Sequence, residues 1–223
     1  MRPVTFQLIE EAALLRHGSA AVAARLTKPR SSAELEAIPD DRYLSTMTRR
    51  IFQAGLKHEL VDRKWPAFEA AFAGFDPGAV AALYDETLEA MLGNRDLIRH
   101  MGKLSATRHN AAEMVAIAAE HGSFGRFVAQ WPVADITGLW TYLARRMKQL
   151  GGNSAPTFLR MMGKDTAVPT EAVLRALRHW EVPAGAAKSS ADRAALQTAF
   201  NAWQTETGKP LCQLSQILAM SID

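Results

Sequence analysis

Two adjacent glycines, Gly151 and Gly152, are the residues of this chain best suited to meeting a phosphate. Without a Cβ, a backbone can approach an anion closely, and the helical pattern starting after Asn153 would aim free N–H groups at it. Asn153 or Ser154 can cap that helix and add a donor, and Lys148 stands just before the turn. Nineteen residues past Gly152 comes Glu171, in Val168-Pro169-Thr170-Glu171 at the start of another helical pattern. A carboxylate there can stabilise a developing cation or orient a water; in a helix's first turn it also simply favours the helix dipole. Asp165, two residues after Gly163, is a second candidate acid or a plain turn residue.

Charge supports an anionic partner through its distribution rather than its sum, since the net charge is only +3. No acid lies between Asp135 and Asp165, while Arg145, Arg146, Lys148, Arg160 and Lys164 do. A second basic group holds Arg95, Arg99, Lys103 and Arg108. A cationic face on a near-neutral protein is a footprint of phosphate binding, and is equally the look of a solvated helix face.

These residues must be positioned by helices. With 48% apolar and 22% charged residues the composition is that of a folded globular chain of 223 residues. Apolar residues recur at helical spacing almost throughout, and no stretch alternates convincingly as a strand, so an all-α fold of many short helices is expected. The periodicity predicts helices over 4–16, 19–26, 33–37 capped by Ser32, and a strong one from Asp40 to Gly55. The pattern resumes at His58 with a break at Trp65-Pro66. Short helices are expected at about 77–83, 86–92 and 94–101, then 104–120 and 124–130. The helix–turn–helix stretch takes 138–162, and helices follow at 170–180, 190–206 and 209–221. No apolar run reaches the roughly 20 residues of a spanning helix. Glu10 and Glu11 fall where a secretion signal would be apolar, and the single Cys212 excludes an intrachain disulfide, so a cytoplasmic protein is expected.

Four blocks in order resemble bacterial 3-methyladenine DNA glycosylase I and its helix-hairpin-helix glycosylase superfamily. They are Ile51-Phe52-Gln53-Ala54-Gly55-Leu56; Phe68 to Pro77; Ile98-Arg99-His100-Met101-Gly102-Lys103-Leu104 continuing to Asn110-Ala111; and Leu150-Gly151-Gly152-Asn153. The resemblance implies a helix-hairpin-helix glycosylase fold with two helical lobes and a cleft, carried by a domain over 41–223; the N-terminal helices over 1–40, outside the strongest resemblance, are expected to pack on it. It implies excision of alkylated purines, foremost 3-methyladenine, from double-stranded DNA in base excision repair, and a monomer is expected. Leu150, Gly151, Gly152, Asn153, Ser154 and Lys148 would then meet the DNA backbone, and Lys103 would contact phosphate or stay solvated. Gln53, His58, Tyr43, Phe52 and Trp65 surround the matching block and would line a base pocket or, Phe52 and Trp65 above all, belong to the core; Glu171, with Asp165 in reserve, would carry the catalytic charge.

Departures from the family pattern are as informative. The usual structural zinc needs paired Cys and His; Cys212 stands alone and nothing sits at ligand spacing from His17 or His179, so no metal and no cofactor is expected. Arg50 occupies the place of the pocket carboxylate, and His58 that of the pocket tryptophan. No lysine follows the hairpin where lyase relatives keep a Schiff-base amine, which favours a monofunctional glycosylase. A non-catalytic DNA-binding or lesion-sensing protein, or a helical protein meeting another anionic partner, are the alternatives.

Overall fold

A computed structural model describes residues 4–222 and consists of helices joined by short turns, with no strand among those residues. The first three residues of the expected N-terminal segment lie outside it. In chain order the helices are α1 (Phe6–His17), α2 (Ser19–Arg25), α3 (Ser32–Glu36), α4 (Asp40–Gln53), α5 (His58–Ala71), α6 (Pro77–Ala81) and α7 (Asp85–Gly93). They continue as α8 (Met101–His121), α9 (Phe124–Gln130), α10 (Ile136–Arg146), α11 (Ser154–Met162), α12 (Glu171–His179), α13 (Ser190–Thr207) and α14 (Leu211–Met220). The chain forms two compact units: one of Met1–Arg30, Pro132–Trp140 and Gly163–Asp223, the other of Ser31–Trp131 and Thr141–Met162.

The second unit is organised by α4 and α8. Tyr43, Leu44, Met47, Ile51 and Phe52 bury one face of α4 completely or nearly so. Their 3- and 4-residue spacing is what puts them on one side. Beside them Trp65, Phe68, Phe72 and Phe75 form a column of near-parallel rings, with Trp65 lying 5.1 Å from Phe68 and 5.5 Å from Phe75. Phe52 meets Phe68 edge-on at 4.7 Å. Each such ring contributes about 2–3 kcal/mol by burial, which makes this column the main source of cohesion here. α8 packs on α4, α6, α7 and α9.

Three details differ from the sequence expectation. Ser31, not Ser32, caps α3, because its hydroxyl accepts from Glu34 N–H while the Glu34 side chain accepts from Ser31 N–H. α5 runs through Pro66 without ending. Pro66 is exposed, so the Asp62 carbonyl that loses its donor can face water, while buried Val61, Trp65 and Phe68 hold the opposite face. No helix spans 94–100: the Asn94 side chain accepts from Asp96 N–H at 2.9 Å, and a single helix starts at Met101, capped by His100.

In the first unit α14 packs against α1, α12 and α13. Phe6 and Phe200 both pack on the Trp203 ring at 5.3 Å. The N-cap of α1 makes no side-chain bond, and the Glu206 carboxylate supplies it instead, accepting from Phe6 N–H at 2.9 Å. Capping from a distant element recurs in both units and is invisible to a local reading of sequence.

Candidate nucleic-acid interface

The hairpin is α10, a turn over 147–153, and α11. Its shape is imposed from α8. Asn110, 1% exposed, donates from its amide to the Lys148 carbonyl at 3.1 Å and accepts from the Lys148 N–H at 2.7 Å. One side chain thereby satisfies both polar groups of one turn residue. One residue earlier, the His109 ring bonds the Arg146 carbonyl at 3.0 Å. One turn later, Glu113 accepts from Arg146 Nε, and the same guanidinium lies 5.7 Å from the Tyr142 ring. The Arg146 guanidinium is held in its charged form first by that hydrogen bond to Glu113.

Within the turn, Leu150 is wholly buried and pins the loop to the core. Gln149 and Gly152 take positive φ, +63° and +56°, which explains the glycine at 152. Gly151 is different. Its φ is not positive, and a Cβ built there would touch nothing within 4 Å. Neither conformation nor packing inside the protein requires glycine at 151, so its open face is the feature available to something outside. Gly151, Gly152, Asn153 and Lys148 are exposed, whereas Ser154 is buried at the start of α11.

Of the other expected backbone contacts, Lys103 turns inward. Its ammonium donates to the Ala54 carbonyl at 2.8 Å and the Phe52 carbonyl at 3.4 Å, closing the C-terminal end of α4. Burial, then the positive charge of Arg50, pushes this amine below its ordinary value. The basic groups read from sequence are also thinner than their count. Arg108 is committed to Asp85 and the Leu83 carbonyl, and Lys164 is buried. Arg95, Arg99, Arg145 and Lys148 remain exposed.

The five expected pocket residues divide sharply. The Tyr43 hydroxyl donates to the Leu35 carbonyl at 2.8 Å in the core, and Phe52 is enclosed. Trp65 Nε1 donates to Ser45 Oγ at 3.1 Å and to Glu69 at 3.2 Å. Burial pushes the Glu69 carboxyl up, but hydrogen bonds from Arg42, Ser45 and Trp65 and the Arg42 charge outweigh it and hold it below the usual range. Gln53 is buried and donates to Asp62 at 3.2 Å. Among the five, His58 alone is exposed, in the first turn of α5.

The two candidate acids belong to the first unit. Asp165 accepts from the backbone N–H groups of Leu211 at 3.0 Å and Cys212 at 2.9 Å. The residue before α14 is Pro210, which has no side-chain cap to offer, and Asp165 takes that part. Glu171 opens α12, is exposed, and pairs with Arg178 at 3.0 Å. Among the described residues no three of His, Cys, Asp or Glu gather as a metal site would need. No helix there is long and apolar enough to cross a membrane. Asn110 and His109 were missed as site residues by sequence reading. Their signal was an asparagine on the buried line Leu104, Thr107, Asn110, Met114, where an apolar residue was due.

The all-helical fold is shared with solved DNA-glycosylase structures. One is a crystal structure of 3-methyladenine DNA glycosylase I, 24% identical with a TM-score of 0.51 over 65% of this chain and 87% of that one. Another is the 3-methyladenine DNA glycosylase I from Staphylococcus aureus, 19% identical with a TM-score of 0.53 over 69% and 92%. Residues 36–149, more than half of the sequence, match the methyladenine glycosylase family model, and the chain belongs to that family. It is also 36% identical over 76 residues to DNA-3-methyladenine glycosylase 1 of Escherichia coli (strain K12). That match spans 34% of this chain and 41% of that enzyme. Arg50, Gln53, His58, Lys103 and Asn110 fall inside the family match, while Gly151, Gly152, Asp165 and Glu171 lie beyond its end.

Proposed function

We propose that this protein is a monofunctional DNA glycosylase that removes alkylated purines, with 3-methyladenine the first substrate to test, in base excision repair. Family membership and the names of its relatives support the reaction class. The observation that carries the DNA reading is Gly151, a glycine for which the protein's own packing has no use, on an exposed turn held rigid by Asn110. In this reading Gly151, Gly152, Asn153 and Lys148 meet the phosphates, while Leu150 and Ser154 contribute position and backbone only. Such contacts fix the protein on DNA without reading its sequence.

Chemically, the bond between the sugar C1′ and the base nitrogen breaks, the base leaves with the electron pair, and water supplies the oxygen that joins C1′. A cationic alkylated adenine leaves as a neutral base, so the protein's task is to extract the nucleotide and face the cationic sugar with negative charge. Glu171 is the exposed carboxylate available for that. Asp165 already accepts two backbone N–H bonds and serves α14. His58 is the exposed polar group offered to the base, while Gln53 stays buried on Asp62. The protein acts as a monomer on double-stranded DNA in the cytoplasm and uses no cofactor.

A second reading, a binding protein that senses lesions without cutting, is favoured by Arg50, which removes the carboxylate expected at that place. Incubation with methylated DNA separates the two by release of free base. Loss of release in Glu171→Gln with DNA affinity retained supports the assigned role, and undiminished release removes it. Tight binding of wild type without any release selects the sensor. DNA affinity that does not respond to salt would sink both, because phosphate contacts impose a steep dependence.

A further inference from the structure

Arg50 is a part-buried side chain of α4 whose charge the protein leaves unanswered. Its Nε is shut off from solvent with no hydrogen-bond partner, and among the described residues its guanidinium makes no ion pair. Two carboxylates of α5, Asp62 and Glu69, are taken by others, and Glu59 stands exposed in its first turn. Asp62 receives Arg49 at 2.7 Å and Gln53 at 3.2 Å, and Glu69 receives Arg42, Ser45 and Trp65. The neighbour that Arg50 does have is another cation: Lys103, whose ammonium is spent on the carbonyls of Ala54 and Phe52. Both groups are held below their ordinary values, Arg50 by burial and Lys103 by burial and by Arg50 itself. A half-buried guanidinium beside a second cation, with Asp62 and Glu69 committed elsewhere, is unfavourable as it stands and becomes favourable when an acceptor completes it.

We propose that Arg50, with Lys103 at its side, is a receptor for an oxygen acceptor of bound DNA, either a phosphate or the exocyclic carbonyl of a base. The planar guanidinium suits both, since its fork donates two parallel N–H bonds to a phosphate or to a carbonyl and its neighbour. The inference rests on the DNA reading for its ligand and on Arg50 for its site. With a phosphate as acceptor the pair leaves the charge of the extracted base open; with a base carbonyl as acceptor it favours a neutral base over the cationic 3-methyladenine proposed above.

The test uses the full chain, with Arg50→Gln to remove the charge and Arg50→Lys to keep it without the fork. The Arg50 Nε–Hε resonance is followed during titration with inorganic phosphate, with undamaged duplex, and with duplexes carrying one hypoxanthine (neutral, with a carbonyl) or one 7-methylguanine (cationic). A phosphate source predicts saturable shifts with inorganic phosphate and with every duplex. Arg50→Gln then weakens all duplexes roughly tenfold and lowers the salt slope by about one, and Arg50→Lys restores part of both. A base source predicts a shift with the hypoxanthine duplex only, and a roughly tenfold loss confined to it in Arg50→Gln. Thermal midpoints of Arg50→Gln at or above wild type are expected, since an unpaired buried charge is removed; a structural role would lower them. No shift with any of the four ligands overturns the proposal. If wild type binds no DNA at all, the DNA reading has failed, and the shift with inorganic phosphate decides the acceptor site alone.

Discussion

The turn at 147–153 and the segment 163–171 both follow a basic helical stretch, both contain glycine, and both looked fit for chemistry. Their construction is opposite. In the turn, the protein satisfies the backbone of Lys148 from outside through Asn110 and leaves the glycine face open. In the segment, nearly everything is consumed internally: Asp165 caps α14, Lys164 is buried, and Thr166 accepts from the Trp140 indole at 2.9 Å. Only Thr170 and Glu171 at its far end are exposed. A stretch arranged for a ligand is recognised by what the protein leaves unused after its own hydrogen bonds are counted.

That contrast can be broken most forcefully at Asp165. Asp165→Ala strands two buried N–H groups at the start of α14 and is expected to lower stability by about 3 kcal/mol, seen as a fall in the urea midpoint, with DNA affinity changed only through unfolding. Next, Asn110→Ala leaves the N–H and carbonyl of Lys148 without their partner. A loss of about 2 kcal/mol is expected, and, unlike Asp165→Ala, a loss of DNA affinity measured well below the melting range. Equal effects of the two variants on binding would erase the distinction.

Lys164 supplies a pH test of the consumed segment. Burial pulls its amine down to about 8, from an ordinary 10.5, with Asp165 opposing the shift. Between those values the unfolded chain holds the proton that the folded chain has released, so stability rises with pH across that window. The slope is at most about 1.4 kcal/mol per pH unit. Lys164→Met should flatten that slope and be more stable than wild type below pH 8. The smallest stability effects are expected at the exposed positions. Gly151→Ala and Glu171→Gln should each stay within about 0.5 kcal/mol of wild type by calorimetry. Yet Gly151→Ala should weaken DNA binding, and Glu171→Gln should slow base release without weakening binding.

The sequence made the helical architecture legible because almost every helix carries its own apolar stripe. The α4 stripe of Tyr43, Met47 and Ile51 and the hairpin over 138–162 could be placed from spacing alone, and 36–149 indeed matches the family. Burial at single positions could not be read that way. Tyr43, Phe52 and Trp65 have the residue types of an aromatic slot, but the same types at the same spacing also pack an aromatic core, and only the neighbours decide. The hydrogen bonds of Lys103 and Asp165 could not be read from spacing for a related reason. Their partners, the end of α4 and the start of α14, are 49 and 46 residues away in the chain. No local pattern signals a helix end that needs a charge from elsewhere.

The hold of Asn110 on Lys148 has a consequence for how portable the turn is. The shape of residues 147–153 is stored largely in α8, 38 residues upstream. A chimaera that receives only the loop sequence would inherit its glycines without its geometry. One that also receives His109, Asn110 and Glu113 in the same helical register should carry the working turn to a new scaffold.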